Sequence, residues 1–184
     1  AMMLRECVRL AREESRVVVF VEPIALYPMR DLHADKDGGW MRRYPDPSQS
    51  IRLGEVGIDG AGTDLAIVTF GNGCYLSQQA RPALEATGVR TRIIDTRWLS
   101  PLPKAALTAA VAGCRHILVV DETRHTGGVA EGLVAHFHES APGVPLARLT
   151  AEDSFIATGP AYAATMPSKE QIIAAATALT GGAT

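Results

Sequence analysis

From Asp64 onward the chain repeats one unit: a short apolar run, a turn, and a segment with helical spacing of apolar side chains. "DLAIVTFG" (64–71) precedes helical spacing over Asn72–Thr87, which stops at Gly88. "VRTRIIDTR" (89–97) leads into Pro103–Ala112, where a proline at the helix start gives up only an amide that has no helical partner. "HILVVDE" (116–122) leads into a helix whose apolar side is Val129, Leu133, Val134 and Phe137. Runs that are apolar at consecutive positions suit strands buried on both faces, and parallel strands need helical crossovers. The alternation therefore predicts an α/β fold, a three-layer sandwich with a mostly parallel sheet and right-handed connections.

"PLARLTAED" (145–153) predicts a last short strand. Ser168 with Gln171 three residues on forms a capping box for a final helix with the stripe Ile172, Ile173, Ala176 and Leu179. "IRLGEVGIDGAG" (51–62) predicts a further strand at an antiparallel edge. One local conflict stands out: Pro82 falls inside the Asn72 helix and is expected to kink it or force it to restart.

The front of the chain has a different pattern. Leu4, Cys7, Val8 and Ala11 mark a short amphipathic helix, and "RVVVFVEP" (16–23) predicts a strand buried in a parallel sheet. One helix and one strand make no domain, and 29–49 supplies no partners. That stretch is polar, rich in Pro, Gly and Asp, and reads as a linker or an ordered surface loop. The expected division is a helix–strand remnant of an earlier domain over 2–28, a linker over 29–49, and one domain over 50–184. The 184 residues suffice for one sound core.

Composition excludes several classes. A net charge of −2 with scattered basic residues argues against a nucleic-acid surface. Cys7, Cys74 and Cys114 are widely spaced without a CxxC, which predicts buried free thiols in a reducing compartment. No apolar run approaches the roughly 18 residues of a membrane span, and no signal-peptide pattern is present. A cytoplasmic location and no membrane partner are expected. Ala1 ahead of Met2 and Met3 reads as the scar of a cleaved tag.

Two junctions are candidates for chemistry. "TFGNGCYLS" (69–77) has G-x-G at a strand-to-helix turn, but Leu76 stands where a dinucleotide fingerprint needs its third glycine. A turn explains Gly71 and Gly73. "VVDETRHTGGVAEGL" (119–133) offers two readings. Gly127 and Gly128 open a helix, so Arg124, His125, Thr126, Gly127 and Gly128 would form an anion-binding or docking site. Against the anion, no lysine follows Gly128 and Asp121 and Glu122 repel phosphate, which favours a structural or docking turn and keeps the anion site as the alternative. His136 and His138 lie two apart on a helix and point to different sides. Glu152 and Asp153 are a loop carboxylate pair. No catalytic residue and no metal ligand set is expected.

The junctions carry a resemblance. "VVVFVEPIALY", the 64–103 stretch with D-x-R-x-L-x-P-L (Asp95–Leu102), and "HILVVDETRHTGGVAEGL" resemble, in order, part of one family. It is the beta subunit, or beta-like half, of the thiamine-diphosphate-dependent 2-oxoacid dehydrogenase decarboxylases, whose closing domain is shared with transketolase. The resemblance runs from Leu4 to about Ala176. It implies that 4–27 corresponds to the last helix and strand of a pyrimidine-binding domain, so the chain looks like a fragment of a longer protein. It implies oxidative decarboxylation of pyruvate or a branched-chain 2-oxoacid with acyl transfer to lipoyl, using thiamine diphosphate and magnesium in the full enzyme. None of either is expected bound to this chain, because no position matches the activating glutamate or the catalytic histidine; Glu22 is not that glutamate. Implied partners are the alpha half with the pyrimidine-binding domain, a second copy of the chain, and the lipoyl acyltransferase core. Pro82 and the long polar Asp35–Gly39 region depart from the family pattern, and the latter suggests a fused alpha–beta variant, which leaves the substrate open. The isolated chain is expected to be inert. The rival expectation is a stand-alone α/β module sensing an anion or nucleotide at Gly127–Gly128; a third is a subunit of a 2-oxoacid:ferredoxin oxidoreductase, which requires iron–sulfur partners.

Overall fold

The computed structural model of the chain describes residues 1–181. Helix α1 (Met2–Glu13) comes first, followed by a long stretch whose only regular element is a single 3₁₀ turn at Ile24–Leu26. The domain follows as β1 (Gly57–Asp59), β2 (Leu65–Thr69), α2 (Asn72–Ala86), β3 (Thr91–Asp95) and α3 (Lys104–Val111). It continues through β4 (Ile117–Arg124), α4 (Val129–Ser140), β5 (Leu146–Ala151), a 3₁₀ segment at Gly159–Ala164 and α5 (Lys169–Thr180). The sheet order is β1-β3-β2-β4-β5, with β1 antiparallel to β3 and the other pairs parallel. The expected α/β three-layer architecture is therefore present, and the extra strand is an antiparallel edge.

Alternation along the central strands makes the layers. Ala66, Val68, Ile94 and Val119 face α3 and α4, where Leu107, Leu133 and Phe137 meet them. Leu65, Ile67, Ile93, Leu118 and Val120 face α2 and α5, where Leu84, Ile172 and Ala176 close the second core. Each Val, Leu, Ile or Phe side chain among these stabilises the fold by about 1.5–3 kcal/mol when taken out of water. The capping box of α5 forms as expected, with Ser168 Oγ accepting from Gln171 N–H and Gln171 Oε1 from Ser168 N–H.

Three expectations fail for physical reasons. Pro82 neither breaks nor restarts α2, which runs as a single helix of 15 residues. Pro82 is exposed, and the buried Ala80 and Leu84 pin the helix on either side of it. Helix α1 forms, but of the Leu4–Cys7–Val8–Ala11 stripe only Cys7 is buried, and Glu6 and Leu10 join it instead of Leu4, Val8 and Ala11. Its partners are Trp98, Val18 and Leu53, and the Glu6 carboxylate is satisfied by Arg9 and by Leu53 N–H. The 16–23 segment is extended but pairs with no strand among the described residues. Val17, Val19 and Val21 are 96, 82 and 75 % exposed. β-branched residues favour the extended backbone, yet a strand also needs a neighbouring edge, and only Val18 finds cover, against the Cys7–Leu10–Trp98 cluster.

Residues 29–49 hold no helix or strand but lie against α2. Asp37 accepts from the N–H groups of Leu32, His33, Ala34 and Gly39. Tyr75 Oη donates to Asp31 O, Gln79 Nε2 donates to Leu32 O, and Trp40 meets Tyr75 edge-on at 5.0 Å.

Candidate functional site

The 124–128 turn sits where β4 hands over to α4, and its anchor is Asp121. This carboxylate is 1 % exposed. Its Oδ1 accepts from Thr123 N–H at 2.7 Å and its Oδ2 from Ala130 N–H at 2.7 Å, so an acid from the strand caps the helix. That amide belongs to the first turn of α4, where a bound anion would seek its donors, and the negative charge already complements the helix dipole. Gly128 is required by crowding: a Cβ there would stand 2.5 Å from Thr123 Oγ1 and 2.6 Å from Arg124 O.

The exposed part of the turn is stitched to β5 and the loop after it. Thr126 donates through both its amide and its hydroxyl to Asp153, and these bonds hold the Asp153 carboxyl below its usual range. His125 Nδ1 meets Thr150 Oγ1 at 3.1 Å, and its Nε2 lies 2.6 Å from Arg148 Nη2. Arg124 Nε donates to Thr126 O. Arg124, His125 and Thr126 thus stand together on an exposed edge beside Asp153, whereas Glu152 takes no part. His136 and His138 separate as expected. His136 is buried with Nε2 3.1 Å from Thr108 Oγ1, tying α4 to α3, while His138 faces solvent.

At a second place the fold brings residues that the sequence did not link to the Gly71 turn up against it. The chain leaves β2 for β3 on one side and then crosses back to β4 on the other, so β2 and β4 flank a topological switch point. Outside the carboxyl ends of such strands, doubly wound sheets receive their ligands. Gly71, Glu122 and Pro23 converge here. Gly71 has φ of 55°, and a Cβ on it would lie 2.9 Å from Glu122 Oε1 and 3.3 Å from Pro23 Cγ. Burial pushes the Glu122 carboxyl up, against the Asn72 amide that it accepts from. At the end of β3, burial likewise pushes Asp95 up despite Arg97, whose Nε is 3.6 Å away. The neighbouring Cys74 thiol is raised well above its usual range, first by burial and then by Asp95. A thiol held protonated beside buried acids is a poor nucleophile. Pro23 of the same chain lies against this crevice. Among the described residues, no group of three or more His, Cys, Asp and Glu is placed to hold a metal ion. Nor is any described helix long and apolar enough to cross a membrane.

With this geometry in place, comparison with known proteins is decisive at the family level. Residues 54–172 match the family model "Transketolase, C-terminal domain". The chain belongs to the transketolase C-terminal domain family. The chain is 27 % identical over 159 residues to the pyruvate dehydrogenase E1 component subunit beta of Bacillus subtilis, covering 85 % of this chain and 46 % of that protein. The corresponding subunit of Staphylococcus aureus is 26 % identical over the same length and with the same coverage. The chain thus spans about half the length of the curated relatives it matches. Among solved structures, a split gene transketolase described as an inactive beta4 tetramer superposes with a TM-score of 0.65 at 19 % identity, covering 76 % of this chain and 46 % of that one. A 2-oxoglutarate:ferredoxin oxidoreductase from Magnetococcus marinus superposes with a TM-score of 0.50 at 19 % identity, covering 68 % and 20 %. These structures share the fold of the transketolase C-terminal domain.

Proposed function

We propose that this chain is the closing, assembly domain of a thiamine-diphosphate-dependent 2-oxoacid dehydrogenase component. The whole enzyme decarboxylates pyruvate or a branched-chain 2-oxoacid oxidatively and passes the acyl group to lipoyl. The observation that carries this reading is a complete, doubly covered sheet preceded by an extended apolar segment without a sheet of its own. On this reading α1 and the 16–23 segment are the end of a pyrimidine-binding domain, 29–49 is the connection and 50–184 is the closing domain. Thiamine diphosphate and magnesium are held in the remainder of the enzyme, in the cytoplasm. The alpha half, the pyrimidine-binding domain and the acyltransferase core are the partners. The exposed Arg124–His125–Thr126 edge is a docking surface, set in place by the Asp121-capped turn.

Two measurements test it. An antibody to the chain is expected to detect a native polypeptide much larger than 19.6 kDa; a native band at the chain's own mass sinks the reading. Carbon dioxide release from pyruvate or a branched-chain 2-oxoacid, with thiamine diphosphate and magnesium, is expected to be absent for the chain alone. Turnover by the chain alone would overturn the assembly role.

A further inference from the structure

The partners of His125 fix where its proton sits. Arg148 Nη2 lies 2.6 Å from the ring Nε2, and a guanidinium can only donate, so Nε2 accepts and carries no proton. The proton of the neutral ring is therefore on Nδ1, which donates to Thr150 Oγ1 at 3.1 Å. Arg148 also donates through Nη1 to His125 O at 3.2 Å, so one side chain grips both the ring and the backbone of the turn. The sheet sets this up. β4 and β5 change register between Asp121 and Arg124, and such a bulge re-aims the side chains beyond it. Arg148 and Thr150 stand two apart on β5 and share a face, and His125 reaches both.

This arrangement holds only for a neutral ring. A second proton enters at Nε2, the atom aimed at Arg148, and leaves two cationic donors at hydrogen-bond distance with no acceptor between them. Proton uptake and the Arg148 contact exclude each other. We infer that His125 and Arg148 form a proton-sensitive latch on the proposed docking edge. It is closed while the ring is neutral; a second proton on His125 opens it and frees Arg148. Histidine is the side chain that ordinarily changes charge between pH 5 and 8. The other charged groups beside the ring act on both sides of the balance. Asp153, from the loop after β5, favours a positive ring, although both its oxygens accept from Thr126. Arg124, at the end of β4, opposes it, and its Nε is turned to Thr126 O. Glu131 in the first turn of α4 and Glu152 after β5 are exposed, and their side chains bond no described residue of the turn. Thr126 stays tied to Asp153 in either state, so opening shifts the edge without unfolding it. The latch rests on the docking reading above for its use, yet it belongs to the chain alone and needs no partner to be seen.

Nitrogen-15 NMR of the full chain between pH 8 and pH 5 is the test. At pH 8 the His125 ring is expected as the tautomer protonated on Nδ1. On acidification the Arg148 side-chain N–H signals are expected to move in one step with the ring. His125→Gln keeps an acceptor for Arg148 that takes no proton, and is expected to abolish that step while His33, His116, His136 and His138 respond as before. Arg148→Ala is expected to leave the ring titrating and the Thr150 amide unmoved by it. A ring protonated on Nε2 at pH 8 overturns the latch, as do Arg148 signals that stay still while the ring titrates. An Arg148 step that persists in His125→Gln also overturns it, because another group then drives the change. The docking reading is decided separately, by whether Arg124→Glu weakens binding of the acyltransferase core, so the two fail independently.

Discussion

Asp121 shows how one side chain can decide between two readings of a turn. Its carboxylate takes the Thr123 and Ala130 amides, so the glycine-rich start of α4 is closed from within. Asp121→Ala removes both acceptors and is expected to lower stability by about 2 kcal/mol, with Asp121→Asn losing less; a urea midpoint unchanged in Asp121→Ala would show that the cap is not formed. Glu6 gives the residue scale its pH dependence. The hydrogen bond from Arg9, then Leu53 N–H and the charge of Arg52, hold its pKa near about 2 against an ordinary 4.5. A lowered folded-state pKa means the stabilisation is complete above the unfolded value and is lost as pH falls through the folded one. Asp64, held near about 2 by Arg90, titrates in the same window. The part due to Glu6 is therefore the difference between wild type and Glu6→Gln, expected to shrink as pH falls from about 5 to 2. A difference constant over that range would mean that Glu6 ionises in the folded protein as it does in the unfolded chain.

At the scale of elements, α2 tolerates a residue that helices reject. Pro82 has no N–H to give to the preceding turn, yet the buried Ala80 and Leu84 keep the helix continuous. Because Pro82 is exposed, Pro82→Ala is expected to raise the unfolding free energy by about 1–3 kcal/mol after the greater freedom of the unfolded chain is counted, read as a higher urea midpoint. A lower midpoint would mean that the ring contributes packing. Strands and helices from 64 to 180 follow the sequence pattern closely, because each carries its own periodicity and stop signals. The front elements do not. Leu4, Cys7, Val8 and Ala11 have valid helical spacing, but of these only Cys7 is buried, because the buried face is set by where Trp98 and Leu53 lie, over 40 residues away. Likewise "VVVFV" has every local mark of a strand and no edge to join.

For the whole molecule, the central strands β2 and β4 are covered by helices on both faces, and the loop at 152–166 is mostly exposed. Amide hydrogen exchange is expected to be slowest over 65–69 and 117–120 and fast over 154–164, where few backbone bonds are made. Comparable rates in the two regions would contradict the placement of the core. The candidate sites divide in the same way. Arg124, His125, Thr126, Gly127 and Gly128 were visible because glycines at a strand-to-helix turn are a local signal. The Gly71–Glu122–Pro23 junction was not, since its three residues are 48 and 51 positions apart in the chain. Periodicity, turn residues and capping depend on neighbours within a few positions, so the α/β class, the strand order of appearance and the capping box were legible in the sequence alone. The switch point, the burial of Glu6 and Asp121 and the approach of Pro23 to the crevice depend on contacts between distant segments. Only the packed sheet and its helices bring those segments together, and only there do burial and paired hydrogen bonds decide which charged groups stay inside.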